Sequence, residues 1–221
     1  MKIFPLGDRA LVIEVGSVIS PEVHATVTAL GQRLRDSELS YLEAVPAFTT
    51  LTVHYDPRDY AGGSEAPFVK LRSLIEAEFS ELESVPAVTP RLVEIPVVYG
   101  GAAGPDLDFV ASHTGLAREE IVALHSGTDY LVYMIGFAPG FPYLGGLDPR
   151  LVTPRRSDPR SRVPAGSVGI GGAQTGVYPL ETPGGWQLIG RTDLRLFDPG
   201  RETPALLRAG DRVRFIPVGK P

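Results

Sequence analysis

The sequence contains no cysteine and only three lysines, Lys2, Lys70 and Lys220. Without cysteine the chain can form no disulfide, no thiolate nucleophile and no cysteine-based zinc site. The lack of lysine in residues 134–192 excludes a lysine-bearing phosphate loop and a Schiff-base lysine from that stretch. His113 and His125 are twelve residues apart, which is not a metal-ligand spacing, so we expect no metal site.

The sequence also lacks a long apolar run. No segment approaches the length needed to cross a membrane, and the start, MKIFPLGDRALVIEV, does not resemble a signal peptide. Together with the absence of cysteine, this favours a cytoplasmic location. Residues 1–88 carry seven basic and thirteen acidic side chains, and residues 89–221 carry fourteen and thirteen. Neither part is basic enough for a nucleic-acid binder.

Residues 1–88 alternate pairs of strand-like segments with amphipathic helices. Ser20-Pro21-Glu22 indicates a helix start, because a hydroxyl caps the first turn and proline suits the first helical position. The predicted elements are strands at Ile3–Phe4, Ala10–Val15, Leu42–Ala47 and Leu51–Tyr55, with helices from Pro21 and over Pro67–Leu82. This order predicts a small α+β domain of the ferredoxin-like kind, followed by a linker at Pro86–Pro90.

Residues 89–221 have many short strand-like segments separated by turn signals, which favours a compact β-barrel. Asp106 is predicted to cap a short helix that precedes a second one. The predicted elements are strands Leu92–Tyr99, Tyr130–Ile135, Leu194–Phe197 and Arg212–Val218, and helices Leu107–His113 and Arg118–His125.

Residues 136–191 hold twelve of the 25 glycines and eight of the 21 prolines, together with six arginines against three acids. Such a composition excludes a helix and predicts tight turns between short strands, with backbone close to a ligand or partner. Within it, Arg155, Arg156, Arg160 and Arg162 are interleaved with prolines. Guanidinium groups in a stiff loop suit a carboxylate or phosphate, but the same loop is equally consistent with surface arginines paired to acids.

The glycine run from Gly169 to Gly176 has two interpretations. Its backbone N–H groups could stabilise an oxyanion, or the run could simply form a hairpin turn. Gln174 and Tyr178 add neutral groups that could bind an amide or satisfy the turn. His125 is more typical of a locally hydrogen-bonded histidine than of a catalytic one, although it precedes the strand that enters this stretch.

Long motifs of the chain resemble one protein family, that of the B subunit of bacterial 5-oxoprolinase. Related proteins are called allophanate hydrolase subunit 1 and Kip-type inhibitors of a histidine kinase, and the domain recurs in urea carboxylase. The matching motifs are GDRALVIEVG near the start, HTGL at 113–116, IGFAPGFPYLGG at 135–146, TPRR at 153–156, RVPAGSVGIGGAQTGVYP at 162–179, PGGWQLIGRT at 183–192, LFDP at 196–199 and GDRVRFIP at 210–217.

The resemblance implies a small α/β domain at residues 1–88 and a cyclophilin-like β-barrel at residues 89–221. It also implies that the chain works with two companions, the C and A subunits, in a complex that opens 5-oxo-L-proline to L-glutamate. ATP would be a co-substrate of that complex, with no built-in cofactor. From residue chemistry within the motifs, we predict catalytic roles for His125, Gln174, Tyr178 and Arg191, and substrate binding by Arg155, Arg156, Arg162, Gly171 and Gly172.

Two alternatives to the enzyme subunit remain open. One is an interaction protein of the Kip type, in which Phe137, Phe141 and Tyr143 form an uncovered docking patch for a histidine kinase. The other is a carboxyltransferase-like component of a urea carboxylase or allophanate hydrolase system. As part of an enzyme, the chain is predicted to be inactive alone, because it has no recognisable nucleophile–base pair.

Overall fold

The computed structural model describes residues 1–80 and 90–219, and the chain divides into two compact units, Met1–Thr89 and Pro90–Pro221. The predicted linker lies almost wholly outside the described residues, as does the end of the second predicted helix at Leu82. No helix in the described part is long and apolar enough to cross a membrane.

The first unit is a four-stranded antiparallel sheet with two helices. Its elements are β1 (Lys2–Pro5), β2 (Ala10–Glu14), α1 (Pro21–Asp36), β3 (Glu43–Pro46), β4 (Thr50–His54) and α2 (Pro67–Ser80). The strands lie in the order β1-β2-β4-β3. The element order agrees with the sequence prediction. However, the ferredoxin-like label is not confirmed, because that motif runs strand–helix–strand–strand–helix–strand and here each helix follows a pair of strands.

Helix α1 begins where the sequence predicts. The Ser20 hydroxyl accepts a hydrogen bond from the Val23 N–H at 3.2 Å, and Pro21 occupies the first turn, where its missing N–H costs nothing. Val27, Leu30 and Leu34 are buried at helical spacing and join one core with the inward side chains of β2 and β4. The helix is therefore held both by its cap and by its apolar face.

Limited proteolysis tests the predicted boundary between Ser84 and Arg91. Glu83 precedes this stretch, so a glutamate-specific protease is expected to cut there first and to release a β-rich C-terminal fragment. Mass spectrometry of the early products identifies the bond. Early cleavage at other glutamates, with the bond after Glu83 still intact, would contradict the boundary.

The second unit is a closed seven-stranded barrel. Its elements are β5 (Leu92–Tyr99), α3 (Leu107–Thr114), α4 (Arg118–Ser126), β6 (Asp129–Ile135), β7 (Pro142–Gly145), β8 (Arg160–Val163), β9 (Ser167–Gly171), β10 (Gln174–Val177), β11 (Thr182–Gly184), β12 (Gln187–Arg191) and β13 (Arg212–Pro217). The barrel strands lie in the order β10-β7-β6-β13-β5-β12-β9. Strands β8 and β11 form a separate two-stranded sheet. The barrel confirms the predicted architecture of this part.

The barrel core follows from alternating side chains. On β5, Ile95, Val97 and Tyr99 are buried, whereas Pro96 and Val98 between them are exposed. Phe215 of β13, which pairs in parallel with β5, is also fully buried. Closure leaves no open edge between these strands, so each carries one inward and one outward face.

The predicted strand Leu194–Phe197 is wrong. The Leu194 N–H donates to the Thr192 hydroxyl at 3.1 Å, which bends the chain directly after β12. Beyond it, only an isolated bridge forms, between Phe197 and Ala205. Apolar alternation alone did not reveal that the local side-chain hydrogen bond would interrupt the strand.

Candidate functional site

Three aromatic side chains of the glycine-rich stretch meet outside the main barrel core. We call Phe141, Tyr178 and Trp186 the aromatic cluster. The Phe141 ring lies edge-on to Tyr178 at 5.4 Å and to Trp186 at 5.6 Å between ring centroids. All three are at most 5% exposed, and Val163 and Leu188 complete their packing. Edge-to-face contacts of this kind fix the ring orientations as well as excluding water.

Several glycines are needed because the Trp186 ring lies where side chains would be. A Cβ atom on Gly171 would lie 2.5 Å from both Cδ1 and Nε1 of Trp186, and one on Gly176 would lie 3.1 Å from its Cζ3. A Cβ on Gly184 would collide with the Tyr178 hydroxyl. Part of the glycine pattern thus makes room for the aromatic cluster.

The backbone at Gly171 and Gly172 forms the hairpin turn that was the second interpretation of the glycine run. Gly171 pairs with Gln174, and Gly172 adopts a positive φ of 67°. The N–H of Gly172 donates to the Thr153 carbonyl at 2.8 Å. That donor is therefore already used, and substrate binding by these two glycines stays a prediction without support from the geometry.

The loop before Phe141 is strained. Phe137 has a φ of 66°, and the Ala138 N–H donates to the Gly136 carbonyl at 2.7 Å, which is a γ-turn of the rarer positive-φ kind. The Phe137 ring is 65% exposed and lies 5.4 Å from the Phe141 ring. Strain of this kind persists where the surroundings hold it, often at ligand-binding sites. The predicted docking patch is smaller than expected, because Phe141 is buried and Tyr143 is half-buried.

The arginine-rich segment, residues 154–162, is called the Arg loop here. Arg160 Nη2 lies 2.7 Å and Arg156 Nη1 3.5 Å from Asp106 Oδ1. The other carboxylate oxygen of Asp106 accepts the Leu188 N–H at 2.6 Å, and the residue is only 6% exposed. Asp106 precedes α3 as predicted, but its side chain makes no capping hydrogen bond. The capping role is wrong because backbone and guanidinium donors from distant parts of the chain occupy both carboxylate oxygens.

The remaining two arginines of the predicted anion site differ from Arg156 and from each other. Arg162 is exposed, and its Nε lies 3.7 Å from Glu181, which is also exposed. Such a pair contributes about 0–1 kcal/mol. Arg155 lies with its Cζ atom 5.8 Å from the Trp186 ring centroid, within the range of a cation–π contact. No carboxylate of the described residues pairs with Arg155.

Tyr178 lies close to the charges of the Arg loop. Burial raises the pKa of Tyr178, whereas a hydrogen bond from the Trp186 backbone and the charges of Arg155 and Arg160 oppose that rise. Because the net direction is upward, the phenol is protonated at neutral pH. It can donate a hydrogen bond to a ligand but cannot act as a ready base.

His125 lies inside the barrel and is fully buried. Its Nδ1 is 2.8 Å from the Tyr99 hydroxyl and its Nε2 is 2.8 Å from the Thr175 hydroxyl. Since Thr175 donates to the Gly169 carbonyl, it accepts from Nε2–H, and Nδ1 accepts from Tyr99. Burial lowers the His125 pKa to about 3, so the ring is neutral. These contacts favour the structural role that the sequence left open, and a catalytic role stays an untested prediction.

The other two predicted catalytic residues lie apart. Gln174 is half-buried at the start of β10, beside the Gly172 turn. Arg191 is exposed at the end of β12, where it pairs with Val98 and Ser167 of neighbouring strands. The predicted site residues therefore do not all lie together at one site in the structure. It brings Tyr178, Arg155 and Arg156 together around Trp186.

Comparison with known proteins adds an independent finding. Residues 1–207 match the family model of the carboxyltransferase domain, subdomain C and D. The chain belongs to this family. It is similar to the 5-oxoprolinase B subunit of Escherichia coli O157:H7, with 51% identity over 96% of this chain and 94% of the relative. It is also similar to the protein of the same name from Bacillus subtilis strain 168, with 46% identity over 97% and 92%.

Among solved structures of similar proteins, TTHA0988 has 42% sequence identity to this carboxyltransferase-family chain and a TM-score of 0.82. The match covers 96% of this chain but 40% of that one, so the relative is more than twice as long. The likeness shows a shared fold over almost all of the chain described here.

In this carboxyltransferase-family chain, sequence reasoning missed Asp106 as part of the site. It is separated from Arg160 by 54 residues and from Leu188 by 82, so no local pattern links them. One signal was available. The four clustered arginines have few acids nearby in sequence, which implies that their counter-charge comes from elsewhere in the chain.

Proposed function

We propose that this chain is the B subunit of an ATP-dependent 5-oxoprolinase complex, which opens 5-oxo-L-proline to L-glutamate. The observation that carries the proposal is its 51% and 46% identity, over nearly full length, to two proteins that are named as the B subunit of 5-oxoprolinase. Two companions, the C and A subunits, would complete the complex, with ATP as co-substrate.

The chemistry around the aromatic cluster supports this substrate class. 5-Oxoproline is a five-membered lactam that carries one carboxylate. The exposed Phe137 ring offers an apolar surface for ring methylenes, and the Arg155 guanidinium suits the carboxylate. The neutral phenol of Tyr178, which is influenced by the Arg155 charge, is a candidate hydrogen-bond donor. Donors of this kind stabilise charge that develops on a lactam oxygen as its C–N bond is broken.

The other predicted residues have weaker support. Gln174 and Arg191 are donors that remain candidates for the lactam oxygen, and Arg162 is a candidate for the carboxylate. Arg156 is occupied by Asp106, and His125 by its two buried partners. We therefore assign the substrate contact first to the exposed Arg155, with the nearly buried Tyr178 as a second candidate.

The isolated chain is expected to release no glutamate from 5-oxoproline, with or without ATP. In the described part of the chain, no three metal-ligating side chains meet. The Thr175 hydroxyl lies beside His125, but both residues are fully buried and the imidazole donates its N–H to that hydroxyl, so it does not act as a base there. The measurement compares the purified chain with the chain co-expressed with its genomic neighbours, using chromatographic detection of glutamate. Sustained turnover by the isolated chain would contradict the requirement for companions.

Kip-type kinase inhibition stays an alternative, and the exposed, strained Phe137 is the observation that favours it. A Phe137→Ala chain separates the two functions when tested in both assays. If docking to a kinase is the function, the substitution relieves inhibition of kinase autophosphorylation. If Phe137 instead contacts the lactam ring in the enzyme complex, the substitution lowers glutamate release and kinase autophosphorylation does not change.

A further inference from the structure

The two residues that flank Arg155 in the chain are both hydrogen-bonded to the segment that carries Trp186. The Arg156 N–H donates to the Gly185 carbonyl at 2.7 Å. The Gln187 side-chain amide donates to the Pro154 carbonyl at 2.9 Å. Arg155 is therefore held between two hydrogen bonds to the residues immediately before and after Trp186, with its guanidinium 5.8 Å from the indole ring. Its position is set by the backbone before any ligand binds.

The charges of the Arg loop are compensated unevenly. Arg156 and Arg160 share the nearly buried carboxylate of Asp106, and Arg162 faces Glu181. Within residues 90–219, only Arg155 of these four has no ion pair with a carboxylate. A planar guanidinium that is exposed, preoriented and without a counter-charge is suited to a carboxylate ligand.

We propose that Arg155 binds the carboxylate of the substrate, and that Asp106 is a positioning residue that fixes the Arg loop for this contact. The proposal rests on the proposed function for the identity of the substrate. Asp106 connects three parts of the chain, because it precedes α3, pairs with Arg156 and Arg160 of the loop, and accepts the N–H of Leu188 on β12. Asp106 thereby ties the part of the loop that follows Arg155 to the start of α3 and to β12.

The division of roles has a clear chemical reason. If Asp106 were absent, Arg156 and Arg160 would lose their counter-charge and would compete with Arg155 for the same anion. A buried carboxylate that satisfies two guanidinium groups leaves one guanidinium for the ligand. Arg155 is thus the residue that touches substrate, whereas Asp106 acts through it.

Trp186 provides a direct reporter, because it is the single tryptophan of the chain. The full chain is titrated with 5-oxoproline, and separately with acetate as a bare carboxylate. The intrinsic fluorescence of the chain is recorded in both titrations. Wild-type chain is expected to give a saturable change. In Arg155→Lys the dissociation constant for 5-oxoproline should rise about ten- to a hundredfold, because lysine keeps the charge but loses the two-pronged geometry. The matched control is Arg150→Lys, at an exposed arginine that pairs with Asp148 and has no predicted role in the site, and it should bind as wild type does.

The positioning role of Asp106 is tested by a double-mutant cycle. Asp106→Asn should weaken 5-oxoproline binding although it touches no ligand, since asparagine can still accept the Leu188 N–H but cannot neutralise two arginines. Adding Arg155→Lys to Asp106→Asn should cause little further loss. Fully additive losses would overturn the positioning role, as a merely structural effect of Asp106 adds to that of Arg155.

Failure of this inference is distinguishable from failure of the proposed function. If the wild-type chain gives no saturable response, or if Arg155→Lys binds as tightly as wild type and the Arg150→Lys control, the Arg155 site is overturned whatever the complex does. If the complex turns over 5-oxoproline, its Michaelis constant should rise in Arg155→Lys more than its turnover number falls. If the complex shows no turnover but the fluorescence difference is found, the carboxylate site stands and the assigned activity fails.

Discussion

Acidification from pH 7 to pH 4 is expected to lower the free energy of unfolding of the barrel unit by about 3 kcal/mol through His125 alone. Burial lowers the folded-state pKa of His125 to about 3, compared with 6.5 for the free side chain. Between these values the unfolded chain binds a proton that the folded chain does not. The stability contribution is therefore complete above pH 6.5 and is lost as the pH falls towards 3.

Urea denaturation at pH 7, 5.5 and 4, followed by Trp186 fluorescence, measures this effect in the barrel unit. The comparison variant is His125→Gln, because glutamine can still donate to Thr175 and accept from Tyr99. Carboxylates such as Asp129, whose pKa is lowered by Arg214, titrate in both proteins and cancel in the difference. Identical pH slopes for the two proteins would show that His125 is not the buried neutral histidine described here.

Substitution of Gly171 by alanine is expected to cost about 2–3 kcal/mol of stability, as is typical of forced overpacking. The new Cβ would lie 2.5 Å from two atoms of the Trp186 ring. That ring cannot move away freely, because Phe141 and Tyr178 contact it edge-on. Thermal or urea unfolding with Trp186 fluorescence gives the change in stability and reports the displaced ring.

Gly185→Ala is the matched control for this substitution. Gly185 immediately precedes Trp186, but a Cβ there would meet only ordinary contacts, the nearest at 3.5 Å to Pro159. Its stability should change by less than about 1 kcal/mol. If Gly171→Ala were equally stable yet failed to bind 5-oxoproline, the packing account would be wrong and the predicted substrate role of Gly171 would be favoured.

The sequence predicted those helices and strands whose formation depends on neighbouring residues in the chain. Ser20-Pro21 marks the start of α1, and the predicted strand Leu92–Tyr99 has the same bounds as β5. The strand predicted at Leu194–Phe197 was wrong, because its apolar residues do not indicate the Thr192 hydrogen bond that bends the chain. Closure of the barrel depends on pairings between strands far apart in sequence, and here it was expected from turn frequency and from the family resemblance.

The candidate site was predictable in composition but not in arrangement. Clustered arginines and glycines drew attention to the stretch in which the structure places the aromatic cluster and the Arg loop. Which arginine is uncompensated depends on Asp106, about fifty residues away, and the need for Gly171 depends on where the Trp186 ring lies. The backbone strain at Phe137 has no sequence signature, because phenylalanine is not a residue that favours a positive φ. Such features follow from tertiary contacts and became visible only in the structure.

The central claim, that this chain is a required component of a 5-oxoproline-opening enzyme, is tested most directly by an omission assay. Companion proteins from neighbouring genes are purified with and without this chain, and glutamate formed from 5-oxoproline is measured in the presence and absence of ATP. We predict glutamate only when this chain and ATP are both present, with ADP formed alongside it. Undiminished, ATP-dependent glutamate formation by the companions without this chain would contradict the claim.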